Sequence, residues 1–190
     1  VWAMMAGRLH VVGEPGTNLV DSQVDPNFLY QYIAGDFRIT SHIDTLFADS
    51  TNGAGLMLFQ DDRNWVFIGI VGSGANAKII VRVCEEGTDN DRSVIPWSGL
   101  SAAYLRIDRI AGAVNTYYRS EASPWTAAFS HAPTESLMQR LRIGPCTFSG
   151  GSALLPSAFW DFFRAEPVGG AVSMEVKVRV GNSTTPGDTS

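Results

Sequence analysis

Residues 54–71 read AGLMLFQDDRNWVFIGIV. Two apolar runs, 55–60 and 65–71, flank the polar tetrad Asp61-Asp62-Arg63-Asn64. The runs are of strand length and rich in β-branched and aromatic residues, and the insert carries turn-forming side chains, which together read as a β-hairpin. Both runs are apolar at odd and even positions. On a pleated strand Leu56 and Leu58 face one side, Met57 and Phe59 the other, and Trp65 and Phe67 oppose Val66 and Ile68. A strand apolar on both faces is covered on both, or has one face lining a groove. The hairpin therefore belongs to the interior of a two-layer β fold.

Further strands are read on either side of it at 7–12, 28–34 and 37–46, then at 78–84, 103–110, 114–119, 125–130, 157–164 and 172–180. Turn signals separate them, such as Asp25-Pro26-Asn27, Gly72-Ser73-Gly74 and Ala111-Gly112. In 37–46, Phe37, Ile39 and Ile43 alternate with Arg38, Thr40, His42 and Asp44, so one face is buried and the other wet. Residues 85–92 read as a polar loop. Residues 134–142 are the one helix candidate, and read equally as a loop plus a strand ending at Gly144-Pro145. Roughly eleven or twelve short strands with almost no helix point to an all-β sandwich or jelly roll of antiparallel sheets. It is read as one domain over 1–180, followed by a polar tail, 181–190.

With 190 residues, 45% hydrophobic and 17% charged, the chain can build a large core without a metal or disulfide. The net charge of −5, with no basic stripe, argues against nucleic acid as partner. No apolar run reaches the length of a membrane span. No signal peptide is visible. A start at Val1 reads as a processed product or part of a longer chain, so that absence says little about compartment. Cys84 and Cys146 allow either one disulfide or two buried thiols, the latter being the simpler reading, and their spacing fits no zinc motif.

The order of several short motifs is similar to that of a known group. These are Leu29-Tyr30-Gln31, Gly35-Asp36-Phe37, Ala54-Gly55-Leu56-Met57 and Asp62-Arg63-Asn64-Trp65-Val66, then Tyr104-Leu105-Arg106-Ile107, Tyr117-Tyr118-Arg119 and Ser123-Pro124-Trp125. Arg142-Ile143-Gly144-Pro145 and Phe159-Trp160-Asp161-Phe162-Phe163 complete the series. Over about 2–165 the chain resembles concanavalin A-like jelly-roll domains. Within them it looks like the domain of unknown function related to the C-terminal sandwich of family 43 β-xylosidases. The resemblance implies two antiparallel sheets whose concave face or rim loops often bind carbohydrate. Function varies widely on this fold.

Catalytic patterns are missing from the sequence. Glycoside hydrolysis needs paired carboxylates. Here Asp161 and Glu166 stand five apart with Pro167 next, Glu175 is alone on its strand, and Glu85-Glu86 point to opposite faces. His10, His42 and His131 lie in separate contexts, none beside a nucleophile elbow. Thr88-Asp89-Asn90-Asp91 and Asp61-Asp62 offer the oxygen ligands calcium prefers, but lack the glycine and distal glutamate of a calcium loop and read as acidic turns facing water. No other cofactor is implied.

The remaining candidate is an outward set on neighbouring strands: Arg82, Tyr104, Arg106, Asp108, Asn115, Tyr117 and Arg119. Rings offer the faces on which sugars stack, and the polar groups offer partners for hydroxyls. Cross-strand pairing on an exposed sheet also explains Tyr opposite Arg. Trp97 and Trp125 fall in or beside loops and read as rim residues, whereas Trp65 and Trp160 read as core. The expectation is a non-catalytic carbohydrate-binding module, extracellular or surface-associated. The alternative is a structural or assembly subunit, a virion decoration protein, adhesin or filament subunit, joined to another copy or domain through 172–180. Asn182-Ser183-Thr184 forms a glycosylation sequon, relevant only in a eukaryotic secretory pathway.

Overall fold

The computed structural model describes residues 2–20, 23–24, 26–132, 141–169 and 174–175. Its strands are, in order, β1 (Trp2–Met5), β2 (Arg8–Val12), β3 (Leu19–Val20), β4 (Gln23–Val24), β5 (Asn27–Phe28), β6 (Gln31–Ile33), β7 (Phe37–Thr45), β8 (Gly53–Asp61) and β9 (Asn64–Val71). They continue as β10 (Lys78–Glu85), β11 (Thr88–Pro96), β12 (Ala102–Ile110), β13 (Ala113–Arg119), β14 (Thr126–His131), β15 (Leu141–Phe148), β16 (Ser157–Pro167) and β17 (Met174–Glu175). A first sheet runs β1-β2-β16-β7-β12-β13-β14 and a second β11-β10-β9-β8-β15-β6-β17, with β5 also on β15. The pairings within both are antiparallel.

The hairpin of β8 and β9 sits in the middle of the second sheet, and its two apolar faces meet different partners. Leu56, Leu58, Val66, Ile68 and Ile70 point between the sheets, where they join Phe37, Ile39, Ile43, Leu105, Ile107, Val114 and Trp160 from the first sheet. Met57, Phe59, Trp65 and Phe67 point the other way and form a second cluster with Cys84, Cys146 and Phe148, covered by Leu19 and Phe28. The cover is tied down locally. The Ser149 amide donates to Thr17 Oγ1 at 3.0 Å, and Arg82 donates to the Leu19 carbonyl at 2.6 Å. Burying side chains of this size stabilises by roughly 1.5–3 kcal/mol each, which is why both faces of the hairpin are apolar.

Three tight hairpin turns carry a small or acidic residue followed by glycine, both at positive φ: Ala6-Gly7, Glu86-Gly87 and Ala111-Gly112. These are the primed turns whose twist matches that of the flanking strands. The Glu86-Gly87 turn converts the polar loop read at 85–92 into a strand. β11 is mostly exposed and lies at the sheet edge, where charged side chains discourage edge-to-edge pairing, so its sequence carries no apolar alternation.

Other readings shift as well. The strand read at 28–34 is broken into β5 and β6. The helix candidate 134–142 lies outside the described residues up to 140, and its last two residues already begin β15. That strand runs on through Pro145. The strand read at 172–180 lies outside the described residues except for Met174 and Glu175, which pair with Ile33 and Tyr32 of the same chain. The tail 181–190 lies outside them altogether. Cys84 and Cys146 are both buried free thiols. They sit on β10 and β15, with β9 and β8 between, so roughly 14 Å of sheet separates them and no disulfide spans it.

Candidate functional site

On β7 every second residue is buried, leaving Arg38, Thr40, His42 and Asp44 on the outer face of the first sheet. The alternation continues on β12 with Tyr104 and Arg106 and on β13 with Asn115, Tyr117 and Arg119. The register sets these residues in rows. Phe162 lies opposite His42, His42 opposite Tyr104, and Tyr104 opposite Arg119. The His42 and Tyr104 rings are 4.3 Å apart, and the Arg119 guanidinium carbon stands 4.3 Å from the Tyr104 centroid and 5.1 Å from that of Trp125. Phe162, 40% exposed, ends the row at 6.3 Å from Tyr104. With strands about 4.8 Å apart, the row across β16, β7, β12 and β13 spans roughly 14 Å.

A second row lies beside it. Arg106 packs over Tyr117 at 4.3 Å and reaches toward Trp125 at 5.7 Å. Two arginines share one carboxylate: Arg38 donates to both Asp108 oxygens at 3.0 and 2.9 Å, and Arg106 Nε donates to Oδ1 at 2.8 Å. The Asp108 side chain is only 2% exposed. Burial pushes its carboxyl up, but the hydrogen bonds and charges of Arg106 and Arg38 outweigh this and hold it below the usual carboxylate range. Asn115 accepts from Ser130 Oγ at 2.7 Å.

The third part of the face is built around a β-bulge. The pairing of β16 with β7 passes from Trp160↔Ile43 to Phe162↔His42, which leaves Asp161 as the extra residue. Its side chain accepts from His42 Nδ1 on one flank and forms an ion pair with Arg8 on the other. Arg8 also lies 3.6 Å from Asp44. Beside them His10 stacks on Phe159 at 4.2 Å and bonds Ser157 Oγ through Nε2 at 2.8 Å. Bulges recur where a sheet re-aims a side chain, and this one turns an acid that would otherwise face its neighbours into a bridge across three strands.

Of the residues singled out in the sequence, Tyr104, Arg106, Asp108, Asn115, Tyr117, Arg119 and Trp125 come together on this face. Arg82 does not. It lies on β10 of the other sheet, paired with Asp91 at 2.6 Å and holding the Leu19 carbonyl. It borders a cleft of about 530 Å³ with Lys78, Asn18 and Asn76, floored by Phe67, Ile80 and Phe148. Trp97 does not join the face either: it is 8% exposed, packs edge-on against Tyr118 at 5.6 Å, and donates from Nε1 to the Ala102 carbonyl at 3.1 Å. An indole whose polar tip finds a backbone acceptor can be buried whole. His10, His42, Phe159, Asp161 and Phe162 were missed as site residues, because the bulge and the pairing of β16 between β2 and β7 bring them together.

Among the described residues no group of three histidine, cysteine, aspartate or glutamate side chains is placed to hold a metal. The candidate calcium turns are otherwise engaged. Asp61 accepts from the Arg63 amide and Asn64 Nδ2, both at 2.9 Å, and Asp89 and Asp91 belong to β11 rather than to a loop. Among the described residues no helix is long and apolar enough to cross a membrane.

Residues 16–181 match the family described as "Protein of unknown function (DUF1349)". The chain belongs to this family. Members of solved structure-space with the same fold include a functionally unknown protein from Saccharomyces cerevisiae, 15% identical, with a TM-score of 0.78 over 90% of this chain and 93% of that one. A GH43 protein from Bacillus licheniformis is 16% identical, with a TM-score of 0.71 over 88% of this chain and 34% of its own. A xylan β-1,4-xylosidase from Bacillus halodurans is 15% identical, with a TM-score of 0.68 over 85% of this chain and 33% of its own. The DUF1349 chain thus has a concanavalin A-like jelly-roll sandwich, and it spans about a third of the length of those GH43 chains. No curated protein matches it in sequence.

Proposed function

We propose that this DUF1349 chain binds carbohydrate, without cleaving it, on the outer face of its first sheet. The observation that carries the reading is the row Phe162, His42, Tyr104 and Arg119, half-exposed rings and a cation across four neighbouring strands, with Trp125 beside Arg119. Sugar C–H faces pack on such rings, and the groups between them suit hydroxyls. Asp44 and Asp161, each paired with Arg8, stay partly exposed and can accept hydroxyl hydrogen bonds. A surface this long fits an oligosaccharide better than a single ring. The likeness to GH43 proteins makes β-1,4-linked xylo-oligosaccharides the first ligands to try.

A glycan array followed by calorimetry tests this. Binding to at least one oligosaccharide is expected, weakened about tenfold by Tyr104→Ala or Trp125→Ala, as for aromatic residues at the centre of a binding surface. No binding to any glycan, or binding untouched by both changes, sinks the reading. The assembly alternative through 172–180 draws no support from the described part of that segment, which pairs within the chain.

A further inference from the structure

We infer that the sugar bound on this face carries an acid group, a uronate carboxylate or a sulfate, held by Arg119 with Arg106 beside it; this rests on the carbohydrate reading above. The charge on the face is unevenly spread. Around β12 and β13 stand the guanidinium groups of Arg38, Arg106 and Arg119, and Asp108 is already shared by the first two. Among the described residues none gives Arg119 a carboxylate within ion-pair distance or a hydrogen bond to its guanidinium, and its Nε is buried without a partner. The chain as a whole has a net charge of −5, so a surplus of cations is not its general condition.

Pairing with rings explains where Arg119 lies but not why it lacks an anion. Tyr104 and Trp125 cover it within 4.3 and 5.1 Å, which fixes the plane of the fork and strips it of water. Stacking uses the face of a guanidinium and leaves its N–H edge to bond, and a desolvated donor without an acceptor calls for an explanation. An acid group with two free oxygens meeting that edge completes it, since a guanidinium pairs with a carboxylate or a sulfate through two parallel hydrogen bonds. The neighbouring end of the face has the opposite character. There Asp44 and Asp161 lie beside Arg8 and His42, acceptors suited to neutral hydroxyls. The face is thus polarised, with the acid-bearing unit placed over β13 and neutral units toward β16.

The test compares matched ligands on the unaltered protein by calorimetry at low salt: xylo-oligosaccharides with and without a glucuronic acid branch, oligogalacturonate and its methyl ester, and a sulfated oligosaccharide with its desulfated form. The acid form is expected to bind about tenfold tighter than its neutral partner in the uronate or the sulfate pairs, a difference that shrinks in high salt. The pair that shows the difference identifies the acid. Arg119→Gln is expected to abolish the preference, so that the acid and neutral members of each pair bind alike. Equal affinities within every pair, or a preference that survives Arg119→Gln, overturn this inference and leave carbohydrate binding standing. Absence of binding by all forms fails the carbohydrate reading itself and this inference with it.

Discussion

Tyr104 and Arg119 face each other across β12 and β13, with the guanidinium carbon 4.3 Å from the ring centroid. The same two strands carry the reverse pair one step along, Arg106 opposite Tyr117, at the same distance. Because neither guanidinium depends on its tyrosine for charge balance, the interaction is measurable by itself. A double-mutant cycle with Tyr104→Ala and Arg119→Ala, followed by urea unfolding, is expected to return a coupling of about 0.5–1 kcal/mol. A coupling near zero means that Trp125 alone holds Arg119 in place.

Asp108 holds two arginines and is almost fully covered. Asp108→Asn removes their counter-charge and leaves a cluster of like charges. Breaking a buried pair costs several kcal/mol, but Arg38 is over a third exposed, so roughly 2 kcal/mol is the expected loss of stability. The pH dependence has a fixed sign. The folded carboxyl titrates below its unfolded value, so the unfolded state binds more protons between the two and stability rises with pH there. The contribution is present above the unfolded value of about 4 and is lost as pH falls through the folded one. Urea midpoints from neutral to strongly acid pH are expected to fall less steeply for Asp108→Asn than for the unaltered protein.

The layers were legible because the alternation is local. Phe37, Ile39 and Ile43 against Arg38, His42 and Asp44 state which face of β7 is wet, and 54–71 states that both faces of the hairpin are covered. The β12–β13 part of the candidate face follows from the same rule, since Tyr104, Arg106, Tyr117 and Arg119 sit on two strands joined by a two-residue turn. What the sequence did not disclose depends on strand order. Arg82 alternates outward like Tyr104, yet β10 and β12 belong to different sheets, and outward means opposite sides of the molecule. Asp161 and His42 are 119 positions apart and meet because β16 inserts between β2 and β7. Trp97 was misplaced because a loop position says nothing about whether its indole turns back to the core.

Gly55 and Gly69 lie opposite each other in the central hairpin. A Cβ on Gly55 would come within 2.1 Å of the Ile68 carbonyl oxygen, and one on Gly69 within 2.3 Å of that of Ala54. These obstacles are backbone in the middle of a sheet and cannot swing aside. Gly55→Ala is therefore expected to cost about 3 kcal/mol or more, at the upper end of overpacking effects, and to lower soluble yield. The urea midpoint checks it. A change of less than about 1 kcal/mol means that β8 and β9 separate without cost, which the packing on both their faces contradicts.

Cys84 and Cys146 offer a probe of the cover over the second cluster. Both are buried, and Cys146 is wholly enclosed beneath the segment bearing Leu19 and Phe28. Burial pushes the Cys146 thiol far above the ordinary range, only partly countered by a backbone hydrogen bond from Gly55. Since the thiolate is the reactive form, neither thiol is expected to react with a chromogenic disulfide reagent in the native protein, and both are expected to react once the chain is denatured. The rate in mild denaturant distinguishes two ways of opening. If it follows global unfolding, the cover is part of the cooperative core. If one thiol reacts faster than the protein unfolds, the cover made by Leu19 and Phe28 lifts as a separate unit.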